Sequence, residues 1–430
     1  MSSARDTAIG VIGALRDAGH TAWLAGGCVR DELLGVHPKD YDVATDATPA
    51  DVRGLFRRTN EVGAAFGVVL VRQNRHTIEV TTFRREGAYS DSRRPDEVHF
   101  ADAESDAQRR DFTINALFLD PFAEPGAMER ARGVAGRVID YVGGIDDLDH
   151  RVIRAVGDAD ARLREDHLRA LRAVRFAARL GFTIDDDTAG AVRRHAQELR
   201  GVSRERIGDE IRSMLTDPTR TAAAHRLESL GLDAPTLDEP PLGPRDAHGP
   251  VILGALPQNS SYPLALAGWA TDRAASRAAL GPAPTNPAIL ADELALTPTR
   301  WRAALCLSNE ERDALAGIMS VCVTLARDWA SLDVPARKRL ASSAPFHDAS
   351  ALLAVLDSDG AERIRGQIDA LAADGVGLAP APLLTGDDLL ALGYHPGPDL
   401  GGALRNLYDQ QLAGALKTRA DAEHAARRML

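Results

Sequence analysis

The amino-acid sequence predicts a small α+β head with a mixed sheet, followed by a long remainder built almost wholly of helices. Helical and strand-like patterns alternate over residues 1–150, whereas helical periodicity dominates from about residue 151 onward. At 430 residues the chain is too long for one hydrophobic core, so two to four modules are expected.

The head begins with an amphipathic helix, and its remaining elements follow in a clear order. TAWLAGG predicts a short buried strand that ends in a glycine turn, CVRDELLG a short helix, and KDYDVAT a second strand. Pro49 at a first turn, after Asp46 or Thr48 as the cap, predicts the next helix. GVVLVRQ and HTIEVTTF predict two strands joined by a turn at QNRH. REGAYSDSRRPDE is polar and rich in turn residues, which predicts an exposed, mobile loop.

The rest of the chain shows one arginine-rich helix and then several more. RLREDHLRALRAVRFAARLG predicts a single helix ended by Gly181, and residues 185–230 predict two or three others. Seven prolines over residues 235–263 indicate a linker or an irregular connection. Helices then resume to the last residue, with a break near GYHPGPDLGG.

Composition excludes some classes of protein and leaves others open. A net charge of −11 disfavours a protein coated in nucleic acid, but it permits a local basic groove. The three cysteines, Cys28, Cys306 and Cys322, lack CxxC spacing, which fits a reducing cytoplasm and argues against a structural zinc site. The sequence has no run of about 18 apolar residues and no signal-peptide pattern, so we expect neither a membrane span nor secretion.

The first chemical motif combines a glycine turn with acidic residues. Gly26 and Gly27 precede Arg30, an arrangement that lets backbone N–H groups and a guanidinium approach phosphates. Asp40 and Asp42, two apart on a predicted strand, point to one face and repel each other unless a divalent cation lies between them; Mg2+ is the expected ion. Glu79, acidic within an apolar strand, is a candidate third carboxylate. Each element alone is more typical of an ordinary turn or a solvated strand end, and the three together predict a functional site.

Two further motifs are rich in arginine. Arg109 and Arg110 precede Asp111, which is a candidate helix cap, and Asn115 follows in the same segment. The second motif lies on the predicted arginine-rich helix and contains Glu165, Asp166, Arg169, Arg172 and Arg175. Asp166 and Arg169 are three apart and together offer the acceptors and donors that the Watson–Crick edge of a nucleobase requires. Both motifs are also compatible with a helix laced by salt bridges.

Taken in order, GGCVRDELLG…KDYDVAT, IEVTTFRREGAYSDSRRPDEVHF, RRDFTINA and REDHLRALRAVRFAARLGF resemble class II tRNA nucleotidyltransferases (CCA-adding enzymes) and bacterial poly(A) polymerases. The resemblance is dense over residues 20–185, and LLTGDDLLALGYHPGPDLGG resembles the tail of the tRNA enzymes. It implies a polymerase-β-like head over 1–150, a helical neck over 151–230, a body over 231–340 and a tRNA-binding tail over 341–430.

The resemblance also implies a role for each motif. Asp40 and Asp42 are expected to bind magnesium, with Glu79 as the third carboxylate. The residues expected to bind the nucleotide are Gly26, Gly27, Arg30, Arg110, Asp111, Asn115, Glu165, Asp166, Arg169, Arg172 and Arg175. Asp166 and Arg169 pair with the base of CTP or ATP. The segment with Arg84, Arg85, Arg93 and Arg94 resembles the family's flexible loop.

The expected reaction adds CMP and AMP to the 3′ end of tRNA and releases pyrophosphate. Terminal A addition alone and poly(A) synthesis remain alternatives, as does an RNA-binding protein that kept the fold without the activity. The loop over residues 84–95 disfavours an enzyme that adds only CC. The last residues, RADAEHAARRML, lack the basic extension that is typical of the poly(A) polymerases.

Overall fold

The computed structural model describes residues 3–61, 67–86, 89–91, 94–95, 98–242, 250–278 and 286–430. The chain divides into two compact units. The first comprises Met1–Met214 with Arg226–Glu239, and the second comprises Leu215–His225 with Pro240–Leu430.

A mixed sheet forms the centre of the first unit. Within the described residues its seven strands are β1 (Ala22–Ala25), β2 (Asp42–Thr45), β3 (Thr59–Glu61), β4 (Val68–Gln73), β5 (His76–Thr82), β10 (Phe118–Asp120) and β11 (Arg137–Ile139). They lie in the order β11-β10-β1-β2-β5-β4-β3. Strands β2 and β5 are parallel and the other neighbours are antiparallel, so the predicted small mixed sheet is confirmed.

The alternation of side chains in β5 gives the sheet a core face and a solvent face. Ile78 and Val80 are buried in the main hydrophobic cluster of the unit. Thr77 and Glu79 point the other way, because successive residues of a strand face opposite sides. This places the acidic side chain on the open face of the sheet.

Short strands replace part of the predicted loop after β5. They are β6 (Arg84–Glu86), β7 (Tyr89–Asp91), β8 (Arg94–Pro95) and β9 (Val98–Phe100). β6 pairs with β9 and β7 with β8, so the expectation of a loop without secondary structure is wrong for the described residues. The pairing is favoured because the segment leaves and rejoins the unit at adjacent points, where the Ala101 N–H donates to the Phe83 carbonyl at 3.1 Å. Arg93 lies outside the described residues.

Helices of the first unit surround the sheet and then extend beyond it. They are α1 (Ala4–Asp17), α2 (Gly27–Leu33), α3 (Pro49–Leu55), α4 (Ala103–Gln108), α5 (Ala127–Ala131), α6 (Gly144–His150), α7 (Ala159–Glu165), α8 (Arg169–Leu180), α9 (Asp186–Arg194), α10 (Arg204–Leu215) and α12 (Asp233–Leu237). Helix α11 (Arg220–Ser229) is divided between the two units, since its residues up to His225 belong to the second. Two further strands, β12 (Val152–Ile153) and β13 (Thr183–Ile184), pair in parallel. Of the two predicted caps of α3, Asp46 and Thr48, the structure has Thr48, whose side chain forms a capping box with that of Asp51.

The single arginine-rich helix expected before Gly181 is in fact two helices. α7 ends at Glu165, and Asp166 after it adopts an extended conformation. α8 begins at Arg169 and is capped at its C-terminus by Gly181, which has the left-handed conformation. The break depends on tertiary contacts, since the Asp166 carboxylate accepts a hydrogen bond from Arg206 of α10 at 2.6 Å.

The second unit is helical throughout its described residues. Its helices are α13 (Val251–Ala255), α14 (Tyr262–Arg277), α15 (Ala291–Leu305), α16 (Asn309–Arg327), α17 (Val334–Ala341), α18 (Phe346–Leu356), α19 (Ser358–Ala372), α20 (Gly386–Ala391), α21 (Pro398–Leu412) and α22 (Arg419–Met429). The predicted all-helical remainder of the chain is confirmed. None of the helices in the described part of the chain is both long and apolar enough to cross a membrane.

The proline-rich stretch is more ordered than its composition predicts. It contains α13, five residues long, whose ends are held by buried side chains of the second unit. Asp272 accepts the Ile252 and Leu253 N–H groups at 3.0 and 2.8 Å, and Arg220 donates to the Leu256 carbonyl at 2.7 Å. These partners are distant in sequence, so the stretch gains a helix that local propensity does not favour.

Candidate active site

A cavity of about 420 Å3 opens in the first unit, lined by β2, β5, α2 and the segment around Arg110. The predicted residues that line it are Gly26, Gly27, Arg30, Asp42, Glu79, Arg84, Arg110, Asp111, Asn115 and Arg172. Arg109 lines the cavity as well, so the lining contains five arginines and three carboxylates in all. The positive excess favours an anionic ligand.

Two carboxylates stand next to each other on the sheet. Asp42 and Glu79 are paired residues of the parallel strands β2 and β5. Burial raises the pKa of Asp42 to about 6, and the negative charge of Glu79 adds to this rise, while Arg110 opposes it. A carboxylate with a raised pKa beside another carboxylate is a site that gains from a bound cation.

Asp40 occupies a different position from the one predicted. It lies in an exposed bend before β2 rather than on the strand, because β2 begins only at Asp42. Its negative charge still raises the pKa of Asp42, after the larger effects of burial and of Glu79, so it lies close enough to act on the same site. Among the residues that the structure describes, no group of three or more His, Cys, Asp or Glu side chains is arranged to hold a metal ion.

The glycine turn approaches an arginine so closely that a side chain does not fit. Gly26 adopts φ +73°, and a Cβ there would lie 2.8 Å from Nη1 of Arg110 and 3.4 Å from the Asn115 carbonyl oxygen. Gly27 then starts α2. The N-terminus of this helix thus faces the cavity without side chains in the way, as binding of an anion by backbone N–H groups requires.

Arg30 is buried, with only 3% of its surface exposed, and its guanidinium is fixed on three sides. Nε and Nη2 donate to Oδ1 of Asp31 at 2.8 and 2.6 Å, and Nη1 donates to Oδ1 of Asn115 at 2.5 Å. The guanidinium also lies over the ring of Phe176 of α8, 5.2 Å from its centre. The side chain therefore keeps one orientation at the cavity wall.

Asp106 holds both arginines of the segment after α4. Its Oδ1 accepts from Arg109 Nε and Nη2 at 2.8 and 2.6 Å, and its Oδ2 accepts from Arg110 Nε and Nη2 at 3.2 and 3.0 Å. Burial alone would raise the pKa of Asp106, but the two guanidiniums outweigh it and the pKa is lowered. Arg110 also donates to the Asn115 carbonyl at 3.0 Å and lies over the Phe118 ring.

Asp111 connects the head segment to α8 rather than capping a helix. Its Oδ2 accepts from Arg172 Nε and Nη2 at 2.9 and 2.7 Å, and its Oδ1 accepts from the side-chain amide of Asn115 at 3.1 Å. Burial would raise the pKa of Asp111, yet Arg172 and Asn115 lower it. The predicted capping role is wrong, because the short 3₁₀ turn that follows has Phe112 at its cap position.

Three arginines surround one aromatic ring at the edge of the cavity. Arg30, Arg172 and Arg175 lie 5.2, 5.2 and 4.7 Å from the centre of the Phe176 ring. Arg175 itself is paired with Glu210, whose Oε2 accepts from its Nε at 2.7 Å, and it does not line the cavity. Its predicted place at the nucleotide therefore has no support in the lining of this cavity.

The predicted base-reading residues lie at the junction of α7 and α8 and do not line the cavity. The carboxylate of Asp166 binds Arg206, while Arg169 Nη1 donates to Glu165 at 2.6 Å and to the Arg162 carbonyl at 2.8 Å. Asp166 and Arg169 are therefore not neighbours on one helical face, as the single predicted helix implied. Of the four loop arginines, only Arg84 has a side chain among the described residues, and it lines the cavity.

Sequence reasoning missed the carboxylates that stand behind the arginines. Asp106, Asp31 and Glu210 each hold one or two guanidiniums, yet none was predicted as part of the site. For Asp106 a signal was present: it lies three and four residues before Arg109 and Arg110, the spacing at which charged side chains meet on a helix. Glu210 had no local signal because its partner Arg175 is 35 residues away.

The mixed sheet, the paired carboxylates and the glycine turn all lie in a part of the chain that matches a known domain family. Residues 22–154 match the family described as the poly A polymerase head domain, and residues 181–239 match the probable RNA and SrmB-binding site of polymerase A. The predicted resemblance to the CCA-adding enzymes and poly(A) polymerases is thereby confirmed, with the two domains in the expected order.

Curated relatives and solved structures agree with this assignment. The CCA-adding enzyme of Geobacillus stearothermophilus is 41% identical over 228 residues, 53% of this chain and 53% of its own length. That of Levilactobacillus brevis is 44% identical over 207 residues, 48% and 49% of the two chains. In these alignments the chain spans about half the length of the curated relatives it matches.

Two solved structures extend the likeness to the whole fold. The Bacillus stearothermophilus CCA-adding enzyme in complex with CTP is similar with a TM-score of 0.70 and 26% identity, over 100% of this chain and 98% of that chain. The Thermotoga maritima CCA-adding enzyme complexed with tRNA-CCA has a TM-score of 0.61 over 97% and 93% of the two chains. At 16% identity this second likeness concerns the fold alone.

Proposed function

We propose that this chain is a CCA-adding nucleotidyltransferase, which transfers CMP and AMP from CTP and ATP to the 3′ end of tRNA and releases pyrophosphate. The observation that carries the proposal is the cavity in which Asp42 and Glu79 stand on the sheet while Arg30 and Arg110 are held rigidly at its wall. Matches to CCA-adding enzymes over the head and to a CTP complex over the whole chain support the same reaction.

The carboxylates fit a divalent metal ion. Asp42 and Glu79 are in register on parallel strands, and the pKa of Asp42 is raised first by burial and then by the charge of Glu79. We expect Asp42 and Asp40 to hold Mg2+, with Glu79 as the third carboxylate, because oxygen ligands suit this ion. When bound, the ion would neutralise charge on the triphosphate and favour ionisation of the attacking hydroxyl.

The chain's own residues bind and orient the nucleotide. The backbone N–H of Gly27, with the guanidiniums of Arg30 and Arg110, would hold the triphosphate so that the tRNA 3′ hydroxyl attacks the α-phosphate and pyrophosphate leaves. The N–H of Gly26 already donates to the Leu117 carbonyl at 2.8 Å, so Gly26 contributes the turn itself. Since each guanidinium is fixed by a buried partner, little ordering remains when the nucleotide binds.

Base selection would fall to the junction between α7 and α8. Asp166 carries acceptors and Arg169 donors, and Arg169 Nη2 lies 3.4 Å from the carbonyl oxygen of Arg109, which lines the cavity. For these side chains to pair with CTP or ATP, their contacts with Arg206 and Glu165 must be exchanged for contacts with the base. We assign catalysis to residues 1–150, base reading to the neck over 151–230, a connecting body to 231–340 and tRNA binding to the tail over 341–430.

One assay distinguishes this reaction from its alternatives. The protein is incubated with tRNA that lacks CCA, tRNA that ends in CC, and oligo(A), each with CTP, ATP and Mg2+. We expect the enzyme to act in the cytoplasm, so the assay uses a neutral buffer. CCA on the first substrate supports the proposal. A single A on the second substrate alone indicates an A-adding enzyme, long tails on oligo(A) indicate a poly(A) polymerase, and no incorporation on any substrate refutes enzymatic activity.

A further inference from the structure

Asp106 is a carboxylate with no exposed surface whose contacts go almost entirely to cavity arginines. A buried charge is tolerated only where opposite charges and hydrogen bonds satisfy it. Arg109 binds one oxygen and Arg110 the other, each through Nε and Nη2. A single carboxylate therefore fixes the planes of two neighbouring guanidiniums, a geometry that a lysine could not adopt.

The same carboxylate reaches the strand region that carries Glu79. Its Oδ1 also lies 3.4 Å from the backbone nitrogen of Arg84, which follows β5. Arg109 and Arg110 both line the cavity, and so does Arg84. Asp106 itself does not line it, so it acts on a ligand only through the groups that it holds.

We propose that Asp106 is the positioning residue of the triphosphate clamp: it holds Arg109 and Arg110 in the orientation that binds the phosphates of CTP and ATP. This inference rests on the proposed function and adds to it a residue outside the binding motifs. An arginine without such a partner samples many rotamers, and the entropy lost when a nucleotide fixes one of them lowers the affinity for that nucleotide. The role is common to both nucleotides, because the triphosphate is the part they share.

The Asp106→Asn variant tests this role because it keeps the size of the side chain but removes the charge. An amide accepts through one oxygen only, so its NH2 group would face one of the two guanidiniums, donor against donor. We expect the Kd of CTP and of ATP, measured without RNA in Mg2+, to rise by the same factor, about tenfold, as expected for loss of a charged hydrogen bond. The inhibition constant of pyrophosphate rises equally, while the preference between CTP and ATP is unchanged.

Asp147→Asn is the matched control for a purely structural effect. Asp147 is also buried in the first unit, accepting from Thr113 Oγ1 at 2.7 Å and Arg154 Nε at 3.1 Å, but it does not line the cavity. We expect this variant to lose stability without a change in the Kd of either nucleotide. If Asp106→Asn likewise lowers stability and leaves nucleotide and pyrophosphate binding unaltered, the positioning role is wrong.

A second variant keeps the test decisive even if Asp106→Asn does not fold. Replacing Arg109 and Arg110 together by lysine retains every charge but removes the forked contacts with Asp106. The proposal expects weaker binding of both nucleotides and of pyrophosphate in this variant, and unchanged binding overturns it. A wild-type chain that incorporates no nucleotide refutes the proposed function, whereas an active chain with unaltered variants refutes only the role of Asp106.

Discussion

Replacing Gly26 by alanine perturbs the closest approach in the candidate active site. Two costs follow from the structure. The backbone conformation of Gly26, φ +73° and ψ −126°, lies outside the regions that alanine adopts without strain and costs an alanine about 1–3 kcal/mol. The new Cβ, 2.8 Å from Nη1 of Arg110, also forces that group away from the Asn115 carbonyl, which loses a hydrogen bond worth about 1–2 kcal/mol. We therefore expect a loss of about 2–5 kcal/mol in the free energy of unfolding.

Two other glycines separate these costs. Gly35 has φ +68° with nothing within 4 Å of its Cβ position, so Gly35→Ala shows the cost of a positive φ without a close contact, about 1 kcal/mol. Gly27 has no positive φ, and its Cβ would meet only Arg30 Nη2 at 3.7 Å, an ordinary contact. Gly27→Ala is therefore expected to leave stability nearly unchanged.

The measurements are denaturant unfolding of the three variants and the Kd of CTP by equilibrium binding. Gly26→Ala is expected to weaken CTP binding as well as stability, since Arg110 is displaced from its place at the cavity. Gly35→Ala, which lies outside the cavity lining, leaves CTP binding intact. If Gly26→Ala costs no more than Gly35→Ala and binds CTP normally, the close approach to Arg110 has no energetic consequence and the reasoning is refuted.

Three further outcomes follow from the same structure. Asp42→Asn is expected to abolish nucleotide incorporation while tRNA binding in a filter assay persists, and normal turnover would refute the metal assignment. Asp166→Ala and Arg169→Ala are expected to relax discrimination among the four NTPs more than they weaken RNA binding; equal selectivity in both variants would show that the base is read elsewhere. In the second unit, hydrogen bonds from the backbone and side chain of Thr385 and from Arg419 lower the pKa of Asp388 to about 2, below its ordinary value of 3.8. The Asp388 carboxylate therefore stabilises the fold above about pH 4, and this contribution is lost as the pH falls toward 2. Asp388→Asn should make the free energy of unfolding depend less steeply on pH between 4 and 2. An unchanged slope in that range would contradict the assignment.

The head could be predicted closely because its signals are local. The alternation in β5, the capping box at Thr48 and the left-handed glycine at Gly181 each depend on residues within a few positions of one another. The resemblance over residues 20–185 adds the order of the motifs. The helix boundary at Asp166 escaped prediction, since Arg206 holds that residue from another helix.

The sequence by itself determined the mixed sheet, the helical remainder and most residues that line the cavity, since strand alternation and short motifs encode them. Only the tertiary structure decided how the residues of the cavity are placed and held. It shows that Asp42 and Glu79 are in register, that Asp40 lies off the strand, and that Asp106 binds two arginines at once. The physical reason is that each of these contacts is made between residues of different segments, which are brought together by burial and charge pairing. Such pairings depend on distances in space, which the spacing of residues along the chain does not specify.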